Sequence, residues 1–404
     1  MESPTPAAKP SISRLRLALV LGSLAAFGPF SIDMYLSGFP AIATDLGTDV
    51  GSVQFTLSIF FFGMAAGQLI YGPLADRLGR RGPLLFGAAL FTLSSALIAF
   101  APDVASMTVL RLAQALGGCA GMIIGRAVVR DLFDLKDAAS FITQLMLVQG
   151  LAPVIAPLLG AWILTAFGWR AVFVVLAVMG AGSFLAVRFG LPETLPADHR
   201  RREPIADLGR VFLGLLRNRA FLAPTLAVAT AFSALFSYLS ASPHVLMTVH
   251  GVSQQTYGWL FGLTALGMIV VAQSNRLFLR LASPKTVFRL TIAVAFAEAI
   301  WLNLVADTTS LVVFMIPLAL GLTLIPLIGA NGTALAMAAS GRHAGSASSI
   351  LGALQFGLGT AVSAALGLFH DATARPLTLA ILAATGLAAL VMTIDAFAAR
   401  PRPR

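Results

Sequence analysis

The sequence is short of charge. Only 11% of its 404 residues are Asp, Glu, Lys or Arg, and 58% are hydrophobic, whereas a soluble domain carries about a quarter charged residues. A water-soluble globular fold is thereby excluded for most of the chain. There is a single cysteine, Cys119, inside an apolar run, so no disulfide forms within the chain and a buried packing role is expected. The five histidines, His199, His244, His250, His343 and His370, are scattered, and there is no Walker loop, GxSxG or HExxH. Neither an ATPase nor a common hydrolase is indicated, so the chain does not read as an enzyme. No metal site and no cofactor are expected.

Long apolar runs are what the chain has in abundance. They lie at 17–39, 52–74, 83–101, 105–128, 139–164 and 170–190, then at 221–242, 256–275, 285–306, 309–330, 345–368 and 375–397. Each is about the 20 residues that a helix needs to cross a hydrocarbon core, and segments apolar on every face are not surface helices of a soluble fold. The expected fold class is all-α integral membrane, with twelve transmembrane helices in two six-helix bundles. Residues 1–16 form an N-terminal tail, 17–190 and 221–398 the bundles, 191–220 a polar linker and 399–404 a C-terminal tail. The first run outlasts the apolar core of a signal peptide and carries Asp33, so it reads as an uncleaved span.

Charge gives the spans a direction. The link within Gly67–Pro83 packs Asp76, Arg77, Arg80 and Arg81 between two apolar runs, and the linker adds Arg200, Arg201, Arg202, Arg210, Arg217 and Arg219. Short loops rich in Lys and Arg stay in the cytoplasm. With the N-terminus inside, the outer loops hold only Arg170 and Arg375 as basic residues, and both termini are cytoplasmic. The net charge of +10 is therefore a topological pattern, and nucleic acid is not an expected partner. Asp76-Arg77-Leu78 with Arg80 and Pro83 recurs loosely as Asn275-Arg276-Leu277 with Arg280 and Pro284. The offset is about half the chain, which suggests duplication of the kind that builds secondary transporters.

These residues carry a resemblance. Gly72-Pro-Leu-Ala-Asp76-Arg77-Leu-Gly79-Arg80-Arg81 resembles the signature loop between the second and third helices of the major facilitator superfamily. Arg111-Leu-Ala-Gln114-Ala-Leu-Gly117 is similar to its fourth-helix motif, and Gly150-Leu-Ala-Pro153-Val-Ile-Ala-Pro157-Leu-Leu-Gly160 to the fifth-helix motif of its drug:proton antiporters. Asp33-Met-Tyr35-Leu, Arg126-Ala-Val-Val-Arg130-Asp-Leu-Phe133, Glu193-Thr-Leu-Pro196, Phe236-Ser-Tyr-Leu-Ser-Ala-Ser-Pro243 and Ala344-Gly-Ser-Ala-Ser-Ser349 resemble the bicyclomycin-resistance (Bcr/CflA) exporters. Ser37-Gly38 departs from that family's usual Leu-Pro, which leaves the outer end of the first helix less constrained. The resemblance implies a proton-coupled exporter of drug-like small molecules in the bacterial cytoplasmic membrane, working as a monomer by alternating access. It also implies that the fifth-helix motif limits leakage.

Chemistry can be assigned to several of these positions. Asp33 and Arg111 each stand about seven residues from the outer end of their runs, roughly 10 Å deep at 1.5 Å per residue, and opposite charges at matching depth are plausible partners. An ionised group inside a span is costly and points to function. Proton binding and release at Asp33 is one reading; a structural ion pair or a water-exposed group is the other. Burial favours the protonated acid and a neighbouring arginine the ionised one, so opening or closing a cavity around the pair would move the proton. A cationic or polar substrate could compete with the proton for the same carboxylate.

The remaining candidates fall into two groups. Gly72, Asp76, Arg77, Gly79 and Arg80 in the link, Arg126 and Arg130 at the inner end of the fourth span, and Gly150, Pro153, Pro157 and Gly160 on the fifth are gating positions. Asp76 and its arginines are expected to latch the two halves on the cytoplasmic side. Gly117, Gly121 and Gly125 make a smooth face for packing or for sliding. A substrate pocket near the midplane would draw on Phe232, Phe236 and Tyr238 in the seventh span, with Tyr35, Gln114, Glu298, Asn331 and Gln355 as further candidates; aromatics with a few polar groups suit such a pocket, and core packing is the alternative. A proton-coupled uptake carrier, or a channel, remains open as another function.

Overall fold

The computed structural model describes residues 13–200, 205–369 and 373–398. The start of the N-terminal tail with Lys9, the linker residues Arg201 and Arg202, His370 and the tail 399–404 lie outside the described residues. Among those described, the chain is helical, and twelve helices are long and apolar enough to cross a membrane. They are α1 (Arg14–Asp45), α2 (Val50–Leu78), α3 (Arg81–Ile98), α4 (Val104–Leu132), α5 (Leu135–Phe167), α6 (Trp169–Gly190), α7 (Arg219–Val249), α8 (Gln254–Leu281), α9 (Pro284–Leu304), α10 (Leu311–Ala339), α11 (Ala344–Leu366) and α12 (Arg375–Ala398). The face that carries the 78–81 link and both ends of the described chain is called the basic face below, and the other the far face.

Proline and glycine decide where the spans break. In α1 the helix stops at Ala25 and resumes over Phe27–Asp33, because Pro29 offers no N–H to the Ala25 carbonyl and its ring crowds it. A short 3₁₀ turn, Leu36–Gly38, and a last segment, Phe39–Asp45, complete the span. The first span is thus longer than the apolar run to residue 39 suggests. Ser37 and Gly38 are also well constrained: both are buried, and a β-carbon on Gly38 would come within 2.5 Å of Leu164 on α5. Likewise α10 breaks at Leu324, just before Pro326. The polar linker contains a helix the sequence reading did not anticipate, Ile205–Arg217, which seats Leu215 with Phe221, Ile350 and Leu351 on the second bundle.

The two bundles meet along two helix pairs, α2 with α11 and α5 with α8. An offset of six spans relates α2 to α8 and α5 to α11, so each pair is the counterpart of the other under the duplication read from the sequence. Close approach is made by small residues: a β-carbon on Gly258 or Gly262 of α8 would stand 3.3 Å from the carbonyls of Pro157 and Val154 on α5. On α4 the glycines face two neighbours. A β-carbon at Gly117 would stand 2.5 Å from the Phe91 nitrogen of α3, and one at Gly121 would stand 2.6 Å from Leu24 of α1. Packing therefore accounts for both.

Candidate functional site

Asp33 ends the second segment of α1 and points away from its expected partner. It is 4% exposed and makes no ion pair or hydrogen bond with any described residue. Its charge reaches Tyr238 of α7 and Tyr257 of α8, so the acid faces the opposite bundle. The Tyr257 hydroxyl sits 3.0 Å from the Ser242 hydroxyl, while the Tyr238 hydroxyl lies beside Thr264. Tyr238 stacks on Phe261 at 5.3 Å. A buried, unpartnered carboxyl near two buried phenols, across the junction of two bundles, is an arrangement that can bind and release a proton or a polar ligand.

The expected Asp33–Arg111 pair does not form. Because α1 runs on to Asp45, Asp33 stands about 18 Å from its far end, while Arg111 stands about 10 Å from the start of α4. Arg111 is fully buried inside the first bundle, with Nη1 donating to the Ser31 carbonyl (3.0 Å) and to Gln114 Oε1 (2.6 Å). Its guanidinium lies between the rings of Tyr35 and Phe60, 4.3 and 4.2 Å from their centroids. Desolvated cation–π contacts of this kind are worth about 2 kcal/mol each. Arg111 therefore holds the backbone two residues before Asp33 and acts on the acid through the segment that carries it.

The pocket candidates scatter accordingly. Tyr35 and Gln114 are locked to Arg111, and Gln114 also donates to Ser95 (2.8 Å). Phe232 packs over Gly329, and Asn331 donates to Asn275 at 2.8 Å within the second bundle. Glu298 lies beside Gly321 between α9, α10 and α12, away from the junction, with Oε2 unpartnered. Gln355 has no hydrogen-bond partner among the described residues. Phe236 and Tyr238 reach the junction. Phe236 closes it with Phe61 and Phe356, at ring separations of 4.7 and 5.4 Å. At these three residues the junction is packed with aromatic rings.

Beyond that plug the two sides differ. Toward the far face, Ser58 of α2 and Ser240 of α7 both donate to the Ser363 hydroxyl of α11, at 2.7 and 2.6 Å, and Gln255 donates to Thr165 at 2.9 Å. Toward the basic face, a cavity of about 400 Å³ opens between the bundles, lined among others by Gly72, Asp76, Arg80, Arg126 and Arg130 of the first and Ser349 of the second. Ser363→Ala should weaken the far seal by about 1 kcal/mol, a roughly fivefold population shift, since hydrogen bonds between membrane helices are individually small. A broadened distance distribution between spin labels placed at the exposed Phe55 and Leu368 positions of that face would register it.

The link is clamped within one bundle. Arg80 bonds Asp76 (2.6 Å) and Asp131 (2.9 Å), and the Glu193 carboxylate accepts the backbone N–H groups of Arg80 (2.8 Å) and Arg81 (3.2 Å). Gly79 has φ +92°, and a β-carbon there would strike that carboxylate, so glycine is required. In this arrangement Asp76 and Arg80 are held by each other, by Asp131 and by the segment after α6. Asp131 and Glu193 stood in the motifs quoted above, but their roles needed the fold. Glu193→Ala should cost about 2 kcal/mol through lost charge-assisted hydrogen bonds, visible as a lower melting temperature in detergent.

Twelve spans, two bundles and a buried acid at their junction define a membrane transporter. Residues 21–364 match the Major Facilitator Superfamily, and the chain belongs to that family. It is 35% identical over 367 residues to YdgK of Bacillus subtilis, an uncharacterised MFS-type transporter, covering 90% of this chain and 91% of that protein. It is 31% identical to a bicyclomycin resistance protein homologue of Haemophilus influenzae, over 89% of this chain and 90% of that one. Among solved structures, a bacterial homologue of the human lysosomal transporter Spinster, inward-facing and unoccupied, superposes with a TM-score of 0.72 at 16% identity, covering 97% and 98% of the two chains. A D-xylose–proton symporter does so at 0.73 and 13% identity, covering 94% and 96%. These two likenesses bear on the fold alone.

Proposed function

We propose that the chain is a proton-coupled exporter of drug-like small molecules in the bacterial cytoplasmic membrane, working as a monomer by alternating access. The observation that carries this reading is Asp33, buried without a partner between the bundles and facing Tyr238 and Tyr257. A relative named as a bicyclomycin resistance protein homologue supports the substrate class. The basic face is then cytoplasmic, in line with its arginines, and the 400 Å³ cavity is the cytoplasm-open member of the alternating pair. Loss of the Asp33 proton creates a charge in a dry junction. A substrate that brings a cationic or hydrogen-bond-donating group to the carboxylate relieves that charge, and a proton arriving from outside displaces the substrate. One charge crossing 100 mV supplies about 2.3 kcal/mol.

The gating residues fit the same cycle. Asp76 is half exposed to the cavity although bonded to Arg80, so it can leave Arg80 when the bundles close there. Asp76→Lys should change the balance of inward and outward states, read by spin-label distances across the cavity, before it changes which compounds bind. Pro153, Pro157, Gly150 and Gly160 keep α5 close against α8 and α1 and limit leakage in the outward state. Expression in an efflux-deficient bacterium, with resistance measured across a compound panel with and without an uncoupler, tests the whole reading. Raised resistance that the uncoupler abolishes supports export. Raised sensitivity, or accumulation that survives the uncoupler, would replace it with uptake or facilitated diffusion.

A further inference from the structure

The cavity on the basic face holds more positive charge than the link uses. Arg80, Arg126 and Arg130 line it, with Asp76 as the one carboxylate among its described lining residues. Asp76 is bonded to Arg80, which Asp131 also holds. Arg126 and Arg130 form no ion pair and no hydrogen bond with any described residue. They stand one helical turn apart on α4, so both side chains leave the same face, and their charges act on each other. Two cations so placed repel unless an anion lies between them.

The opposite wall adds donors. The cavity there is bounded by the first turn of α11, a 23-residue helix with no acidic residue in that turn and no side-chain cap. Ser346, Ser348 and Ser349 bring hydroxyls to the same wall, while Ile123, Ile124 and Phe212 give the cavity an apolar side. A volume of about 400 Å³ is that of a small-molecule pocket.

We propose that this cavity is a receiving site for small molecules bearing a phosphate or phosphonate group, whose oxyanion bridges Arg126 and Arg130 while the apolar body rests on Phe212 and the α4 isoleucines. Guanidinium forks match the oxygens of such groups in pairs, which a carboxylate alone would satisfy only once. The site stands on this geometry; only its service to export rests on the function proposed above. The headgroup of an anionic phospholipid presents the same chemistry, and the test separates the two sources.

The full-length protein in phosphatidylcholine nanodiscs is dialysed against radiolabelled phenyl phosphate. Saturable binding that weakens with salt is expected, together with a loss of at least about tenfold in Arg126→Gln/Arg130→Gln and a smaller loss in Arg126→Lys/Arg130→Lys, which keeps the charge without the fork. The lysine variant decides the matter should the glutamine variant not fold. No saturable binding to the unaltered protein, or equal binding by the lysine and unaltered forms, overturns the proposal. Competition by phosphatidylglycerol in the nanodisc would assign the site to lipid and overturn the small-molecule assignment. Absent binding with uncoupler-sensitive resistance retained sinks this inference alone, whereas binding retained without resistance sinks the export reading alone.

Discussion

Asp33→Asn is expected to abolish uncoupler-sensitive resistance while leaving the amount of folded protein in the membrane unchanged. The carboxyl has no partner to orphan, so its replacement by an isosteric amide removes no ion pair and no hydrogen bond from the described structure. What it removes is a buried, unpaired charge at the junction that a proton can cancel. Burial of an unpaired charge is expensive, and the asparagine variant never meets that expense, so it should melt at the same temperature or higher. Proteoliposomes give the sharper measurement: an imposed pH gradient should drive no substrate movement in Asp33→Asn, whereas substrate exchange without a gradient persists. Full gradient-driven transport in this variant would remove Asp33 from the mechanism.

Gly160→Val is expected to deplete the folded protein. A β-carbon at Gly160 of α5 would run into the carbonyl and α-carbon of Met34, the residue after Asp33. Neither side can yield cheaply, since the obstacle is backbone on one helix and a helical α-carbon on the other. Overpacking of this kind costs about 3 kcal/mol, enough to shift a marginally stable protein toward unfolding. Fluorescence-detected size exclusion should show most of the variant aggregated, and Gly160→Ala should melt well below the unaltered protein. By contrast Gly150 has only Ile269 at 3.9 Å from an added β-carbon, so Gly150→Ala should be nearly neutral on the same scale. Equal tolerance at the two positions would show that α5 does not seat the Asp33 segment as described.

The two glycines belong to one sequence motif and read alike in it, which marks where sequence reasoning stops. The apolar runs required twelve spans, because a segment of about 20 residues apolar on every face satisfies its backbone amides in lipid as a helix, and alternation of arginine-rich links gave the expected direction. The repeat around Asp76 and Asn275 foretold two bundles, and the α2–α11 and α5–α8 pairs are its three-dimensional form. Composition and periodicity suffice for these features because each depends on one helix, or one loop, at a time.

Partners were decided by the tertiary structure alone. Asp33 and Arg111 read as a pair when depth was counted from a first span ending near residue 39; the buried 3₁₀ turn at Leu36–Gly38 and the segment to Asp45 carry the acid deeper and turn it toward the second bundle. Arg111 takes aromatic rings and the Ser31 carbonyl in its place. Glu298 and Asn331 share the polar character of a pocket residue but sit inside their own bundle, because which face of a helix meets the other half depends on rotation set by packing. Sequence by itself thus determined that this chain crosses a membrane twelve times and which few polar residues it carries inside. Which of those residues meet across the junction follows from helix breaks and rotations that arise only when the two bundles pack together.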